Sequence, residues 1–559
     1  MRDETNVSAL PHGLASRLSR RSIIAGAAAF AGVGLSSVGR APTGSAAALL
    51  PSSQDGDRGT LIIRSARFPA SFNPLIDDVR VWLYDGLVRF DENMNPVPDL
   101  AESWEISEDG LVYTVKLRED VVFHDGTPMT ADDVIFTAEL TMDESIGSAY
   151  RSKFIIDGAP VVWTKVDTYT VAATLPSPSS SFLAKLSRAD EIFFCILPKH
   201  LLEGVEDMMT ADFNQNPVGT GAYKFVEFRA DERLVLAAHD EYHQGRPGVA
   251  QVVRLALPNE QAAFAALAAG EIDVTTLNEA GNVKAADENE SIVVHRYNSN
   301  WVFAARFNFA NSILQDINVR RAISHAIDRV NLVKAAISAT AEVGNSPISY
   351  GWAANPNVTV YEFDMDQASQ LLDEAGWSGS SPRQKDGQAL HLRLTIDSGY
   401  GAPDLAAGIQ ALLGQIGIEV EIIQLEAATL DTTVYQDRDF DMYLGWQGFG
   451  VDPDIASRWM TADPSAGSYL DNPASYSNPE VDTALRAAAM ALTQDERATA
   501  LWTAQDLITQ DCAAVWLQQW EAISAVSQNV GGLVLPPSTA DMDNTGIFRD
   551  PWAVTSSRM

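Results

Sequence analysis

The sequence predicts an α/β fold whose lobes share chain crossovers, and three observations carry that prediction. Helical and extended patterns alternate from Leu61 onward, helices stop at a glycine with a strand close behind, and no proline- or glycine-rich linker divides the chain into beads. At 559 residues, 46% of them hydrophobic, the chain exceeds one ordinary core and has ample apolar surface to bury.

The first stretch reads as an address. Ser19-Arg20-Arg21-Ser22 introduces a mild Ala/Gly-rich run from Ile23 to Val38, followed by Arg40, Pro42 and Ala46-Ala47-Ala48. A helix of that length spans about 24 Å, short of the roughly 30 Å hydrocarbon core. Paired arginines before a weakly apolar run, then small residues, predict a twin-arginine signal peptide over 1–48; a plain Sec signal or an uncleaved anchor is the competing reading. No cysteine lies near the cleavage site, so the expectation is an exported chain without a lipid anchor, periplasmic or secreted.

The elements beyond it follow in order. Leu111, Tyr113, Val115 and Leu117 share one face at period two, a half-buried strand. Thr130-Ala-Asp-Asp133 opens a helix through about Leu140 in capping-box style. The apolar run Ile192 to Leu197, around Cys195, reads as a buried strand. Asn259 caps a helix through Phe264 and Leu267 that stops at Gly270, and Glu271 to Leu277 is extended. Val319, Ala322, Ile323, Ala326, Ile327 and Val330 fall on one helix face. Asp366 starts another helix, with Ala368, Leu371, Leu372 and Ala375 inward and Gly376 as its stop. Leu405, Ile409, Leu412, Leu413 and Ile416 make a further one, ended by Gly417 and followed by a strand from Ile418 to Ile423.

Charge and cysteines exclude several functions. Asp and Glu number 74 against 39 Lys and Arg, a net charge of −35. Without residues 1–48 the remainder is 34 bases and 72 acids, or −38. Such a field repels nucleic acid and anionic membrane surfaces. Asp364, Asp366, Asp373 and Glu374 read as one solvated part of it. Two cysteines, Cys195 and Cys512, make no disulfide framework and no metal cluster; both read as free, buried thiols, with a single disulfide between them as the alternative.

Three motifs invite chemistry and are better read as structure. His124-Asp125-Gly126 suits a turn between strand and helix. Gly219-Thr-Gly221 lacks the Lys and Ser/Thr of a phosphate loop. His239 and His243 sit beside Gly245 and Pro247 without a third ligand, so a surface loop is expected, with no metal and no cofactor.

Longer segments carry a family resemblance. Leu100-Ala-Glu-Ser-Trp104, Asp109 to Thr114, Val122-Phe-His-Asp-Gly126 and Pro128 to Val134 resemble the signature of the substrate-binding proteins of ABC importers, solute-binding protein family 5 (peptide, nickel and oligosaccharide binders). Pro217 to Phe225, Gly270 to Asp273, Val319 to Arg329, Ala368 to Trp377 and Asp441 to Pro453 match in the family's order.

The resemblance implies a periplasmic binding protein type II-like fold, with two lobes around a cleft and an extra subdomain inserted in the first. Lobe I would span 49–300 with the insert at about 92–210, lobe II 301–515, and 516–559 would return to lobe I. It implies a monomer that binds an oligopeptide-like or other small organic solute, such as an oligosaccharide or opine, and hands it to an ABC permease with a cytoplasmic ATPase. It also implies a binding protein, not an enzyme. The competing readings are an exported oligosaccharide hydrolase, for which GxSxG and HExxH are both missing, and a ligand sensor serving a chemoreceptor.

Candidate ligand residues are Trp446, Phe449, Tyr400, Trp301, Arg67 and Phe68. Trp446 and Phe449 belong to the segment where the family's peptide binders place an aspartate for the ligand's α-amino group; by register that place is Phe449. The dipeptide binders also place an arginine before the helix matching 404–416, and Asp397 to Gly401 has none. The resemblance thus weakens a dipeptide, both of whose ends lose their partners, and leaves aromatic faces that suit sugars, apolar side chains or cations.

Overall fold

The computed structural model describes residues 58–533 and 553–556, apart from 67, 78, 80, 81, 92, 149, 188–193, 338–340, 398, 400 and 462–471. The export-signal reading of 1–48 lies outside the described residues.

Strands are numbered here in chain order: β1 Thr60–Ser65, β2 Ala101–Ile106, β3 Val112–Leu117, β4 Val162–Asp167, β5 Thr170–Thr174, β6 Tyr223–Arg229, β7 Arg233–Ala238, β8 Gln251–Ala256, β9 Val274–Leu277, β10 Ile292–Phe307, β11 His391–Ile396, β12 Glu419–Gln424, β13 Met442–Gly448 and β14 Ala514–Ser527. The helices that matter are α1 Ala131–Met142, α2 Glu260–Ala268, α3 Ile317–Ala326, α4 Met365–Glu374, α5 Ala402–Gln415, α6 Pro479–Met490 and α7 Gln494–Gln510.

One long sheet runs in the order β6-β7-β8-β1-β9-β14-β10-β13-β11-β12, with the short strand Glu342–Val343 paired to β14. β1 is parallel to β8 and β9, and β11 is parallel to β12 and β13, whereas β9, β14, β10 and β13 pair antiparallel in turn. The first half packs around Leu61, Tyr84, Leu236 and Val252. The second half is covered on both faces, by α3, α4 and α5 residues around Ile323, Leu372 and Ile409 and by α6 and α7 residues around Leu485 and Leu501. A separate four-stranded sheet, β2-β3-β5-β4, has its own core with α1 around Val115, Phe123 and Phe182. These are the two lobes and the inserted subdomain.

Local sequence rules explain most boundaries. Thr130 accepts from the Asp132 N–H and the Asp133 carboxylate accepts from the Thr130 N–H, a capping box that starts α1. Asn259 caps α2 through Ala262 N–H, and Gly270, Gly376 and Gly417 take φ of 72°, 85° and 82° just past their helices. Asp364, two residues before the expected Asp366, caps α4.

The structure departs from the sequence pattern in three places. The apolar face from Val319 to Val330 is two helices, because Asp328 caps a new helix at Arg329 and leaves Val330 exposed. Phe194 to Leu197 is buried yet not a strand. His239 and His243 lie in a loop, as expected, but His239 is buried and the His243 side chain is enclosed, its Nε2 lying 3.2 Å from the buried Asp99 carboxylate, so neither imidazole is at the surface.

The other motifs are structural. His124 Nδ1 accepts the Gly219 N–H at 3.1 Å and Nε2 faces the Gly221 carbonyl at 3.0 Å, tying the subdomain to lobe I. A Cβ on Gly219 or Gly221 would fall 2.0 Å from the Leu83 carbonyl or 2.4 Å from the Trp82 carbonyl, so close backbone approach dictates glycine. Both cysteines are buried and outside any disulfide, and Asp364, Asp366, Asp373 and Glu374 are exposed.

Candidate ligand-binding site

Two strands carry the chain between the lobes. Ile292 to Asn298 of β10 pairs with Glu521 to Ser527 of β14 in lobe I, and Val302 to Arg306 pairs with Ala514 to Gln519 in lobe II. Register slips between Asn298 and Val302, and again between Phe303 and Ala304. A break in the ladder concentrates bending at the lobe junction.

Aromatic rings collect beside this break. Trp301 stands opposite Gly448 and Phe303 opposite Trp446, so alternation places all these side chains on one face of β10 and β13. The Trp446 ring centroid lies 4.5 Å from Phe303 and 5.6 Å from Trp520 of β14. A Cβ on Gly448 would stand 2.6 Å from the Trp301 ring, so the glycine makes room for the indole. Trp301, Trp446 and Trp520 each retain partial exposure.

Polar groups at the same junction are buried. Asn300 donates to the Gly450 carbonyl at 2.7 Å, and its amide nitrogen also approaches Met94 Sδ of the subdomain at 3.7 Å. The side-chain amide oxygens of Asn300 and Gln518 and both side-chain amide atoms of Gln447 are buried without a hydrogen-bond partner among the described residues. Unpartnered buried amides are costly, and a ligand's N–H and C=O groups would satisfy them. On the lobe I side, Arg296 pairs with Asp287 at 2.6 Å and lies 3.9 Å from Glu521. Burial raises the Glu521 pKa, against the opposing pull of Arg296.

The structure brings Trp301 and Trp446 together and places the other candidates apart. Phe449 is 4% exposed in the core beneath α6 and α7, with Trp459 and Leu501 in the same cluster. Phe68 packs edge-on against Phe228, centroids 5.4 Å apart, at the rim of the lobe I core. Arg67 and Tyr400 lie outside the described residues. Sequence reasoning missed Trp520, Phe303, Asn300 and Gln447. For Phe303 and Gln447 a signal was available, because they border the chosen tryptophans in sequence.

A hollow of about 410 Å³ opens between the subdomain and lobe II, lined by Phe90, Met94, Tyr113, Trp352, Val451 and Arg497 among others. Arg497 is paired with Asp452 at 2.6 Å, both largely buried. Beside it Ser180 fastens the subdomain to the end of α6, its N–H donating to the Ala489 carbonyl at 2.8 Å and its hydroxyl to the Ala488 carbonyl at 2.9 Å. Among the described residues no group of three His, Cys, Asp or Glu side chains is placed to hold a metal, and no helix is long and apolar enough to cross a membrane.

Comparison with known proteins gives concordant matches. The family described as bacterial extracellular solute-binding proteins, family 5 middle, matches residues 95–469. The oligopeptide-binding protein AppA of Bacillus subtilis is 31% identical over 410 residues, 69% of this chain and 73% of AppA. The AppA structure in complex with a nonapeptide superposes with a TM-score of 0.71 at 27% identity, covering 88% of this chain and 98% of that one. The ABC transporter substrate-binding protein CtaP of Listeria monocytogenes superposes at 0.78 with 27% identity, covering 90% and 100%. NikZ of Campylobacter jejuni, solved with Ni(L-His), superposes at 0.76 with 27% identity, also covering 90% and 100%.

Proposed function

Because the chain belongs to the bacterial extracellular solute-binding proteins of family 5, we propose that it captures a peptide-like or other small organic solute between its lobes and delivers it to an ABC permease with a cytoplasmic ATPase. The observation that carries this reading is the ladder break between Asn298 and Val302, flanked by Trp301, Trp446 and Trp520. A hinge beside aromatic faces and unpartnered amides is suited to closing on an organic guest, since closure is favoured only by contacts that the closed state adds.

In this reading the protein is exported, not lipid-anchored, monomeric and not an enzyme. Lobe I comprises 49–300 and 516–559, with the insert at about 92–210, and lobe II comprises 301–515. AppA is solved with a nonapeptide and NikZ with Ni(L-His), which makes a peptide-like organic cargo the first choice; an oligosaccharide or opine follows. Phe449 supplies no carboxylate for a peptide's α-amino group, so a free peptide amine would need another partner.

Thermal melts of the mature protein against peptide, sugar and opine panels test the reading. A true ligand at 100 times its Kd adds about 2.7 kcal/mol of stability. A panel without a single shift, together with a native mass spectrum free of retained solute, would overturn it.

A further inference from the structure

Behind Trp446, on the opposite face of β13, lies a buried cationic cluster. Arg306 of β10 stands opposite Tyr443, and its guanidinium carbon is 5.3 Å from the centre of the Tyr443 ring. Arg306 is 1% exposed, and beyond the neighbouring Tyr435 phenol its side-chain nitrogens meet no acceptor in good geometry among the described residues. A Cβ on Gly445 would fall 2.2 Å from the Tyr443 hydroxyl, so the phenol lies along β13 toward the end that carries Trp446 and Gln447.

The neighbours add positive charge and little to balance it. The Tyr435 ring is 6.1 Å from that of Tyr443. Burial alone would raise the Tyr435 pKa, but Arg306 and Arg458 beside it more than reverse this and hold the phenol below its ordinary value. Arg458 Nη1 is also buried and unpartnered, as is the whole Gln447 amide. Asp397 is the carboxylate that acts on Tyr443, and it accepts the Gly399 N–H at 2.6 Å. No carboxylate is paired with Arg306 among the described residues.

A dry guanidinium without a counter-ion is unfavourable, and its planar fork suits a carboxylate. We propose that Arg306, assisted by Arg458, Tyr435 and Gln447, forms an anion subsite in lobe II that receives a carboxylate of the captured solute. The inference rests on the solute-binding reading above and narrows it to acidic cargo.

The test compares matched ligands on the full mature chain. Free-acid peptides, opines and acidic sugars are titrated beside their carboxamide or methyl-ester counterparts, by calorimetry and thermal melting. The wild type is expected to bind the acids at least tenfold more tightly than the neutral forms. Arg306→Met should melt at or above the wild-type temperature without ligand, and should bring its affinity for the acids down toward that for the neutral forms. Equal affinity for acid and neutral forms in the wild type overturns the subsite and leaves solute binding intact. An Arg306→Met variant that keeps the preference overturns it as well. Should that variant fail to fold, Arg306→Lys decides, because a lysine lacks the fork and is expected to lower the acid preference. Binding of no member of either set overturns both readings.

Discussion

Phe303 and Trp446 face each other in register across β10 and β13, ring centroids 4.5 Å apart, at the point where the ladder between the lobes loses its regular pairing. The buried Phe303 fixes the plane of the partly exposed indole. Trp446→Ala is therefore expected to weaken ligand binding tenfold or more, about 1.4 kcal/mol, while Phe303→Leu has a smaller effect. Isothermal titration with whichever ligand the panels return checks both.

Gly448 is the neighbour that admits Trp301. Its replacement by alanine would force a Cβ to 2.6 Å from the Trp301 ring and 2.8 Å from the Asn300 carbonyl. Gly448→Ala should cost about 1–3 kcal/mol of stability, as overpacking does, and should shift tryptophan fluorescence. Chemical denaturation followed at two wavelengths measures both.

His124 should make the fold sensitive to acid. Burial pushes its pKa down to about 3, with His239 and Lys224 adding to the effect against the pull of the Gly221 carbonyl. The geometry agrees, because Nδ1 accepts the Gly219 N–H and cannot also carry a proton. Between pH 6.5 and about 3 the unfolded chain binds a proton that the folded chain refuses, so stability falls as pH falls. The slope from this group is at most about 1.4 kcal/mol per pH unit, and His124→Gln should flatten it in melts run across that window.

Arg497 and Asp452 form a buried pair whose loss should be felt strongly. Arg497→Met leaves the Asp452 carboxylate without its paired guanidinium, and a cost of about 3–5 kcal/mol is expected. Urea titration of the variant, alone and combined with Asp452→Asn, separates the stranded charge from the lost packing.

The two thiols should be silent in the folded chain. Cys512 is fully buried, and burial pushes its pKa up to about 11 despite the nearby Ser324 hydroxyl and Arg320. Alkylation at pH 8 should label neither Cys195 nor Cys512 until denaturant is added, and reductant should leave the melting temperature unchanged.

Much of this architecture was legible because local chemistry dictates it. Thr130 with Asp133, Asn259, and the glycines at 270, 376 and 417 mark helix ends through hydrogen bonds and backbone angles that any context would need. The alternation Tyr113, Val115, Leu117 survives as three buried positions of β3. The helix break at Ile327 was hidden because apolar spacing runs on across it, while the decisive Asp328 cap is a single polar residue.

The binding region was less legible, because pairing of distant strands builds it. Trp520 meets Trp446 only through the joint register of β14, β10 and β13, which spacing in one segment does not encode. Phe449 looked like a neighbour of Trp446, yet it packs in the core beneath α6 and α7. His243 sits in a polar stretch that reads as surface until Asp99, 144 residues earlier, closes over it.

Among the contacts that fasten the subdomain are those of His124 to the glycines of lobe I and of Ser180 to the last carbonyls of α6 in lobe II. If lobe II swings away while the insert stays behind, the serine clasp must come undone and the frayed helix end must find water instead. The lobes would then part against a catch as well as about a hinge, with the backbone and hydroxyl bonds of Ser180 forming part of that catch.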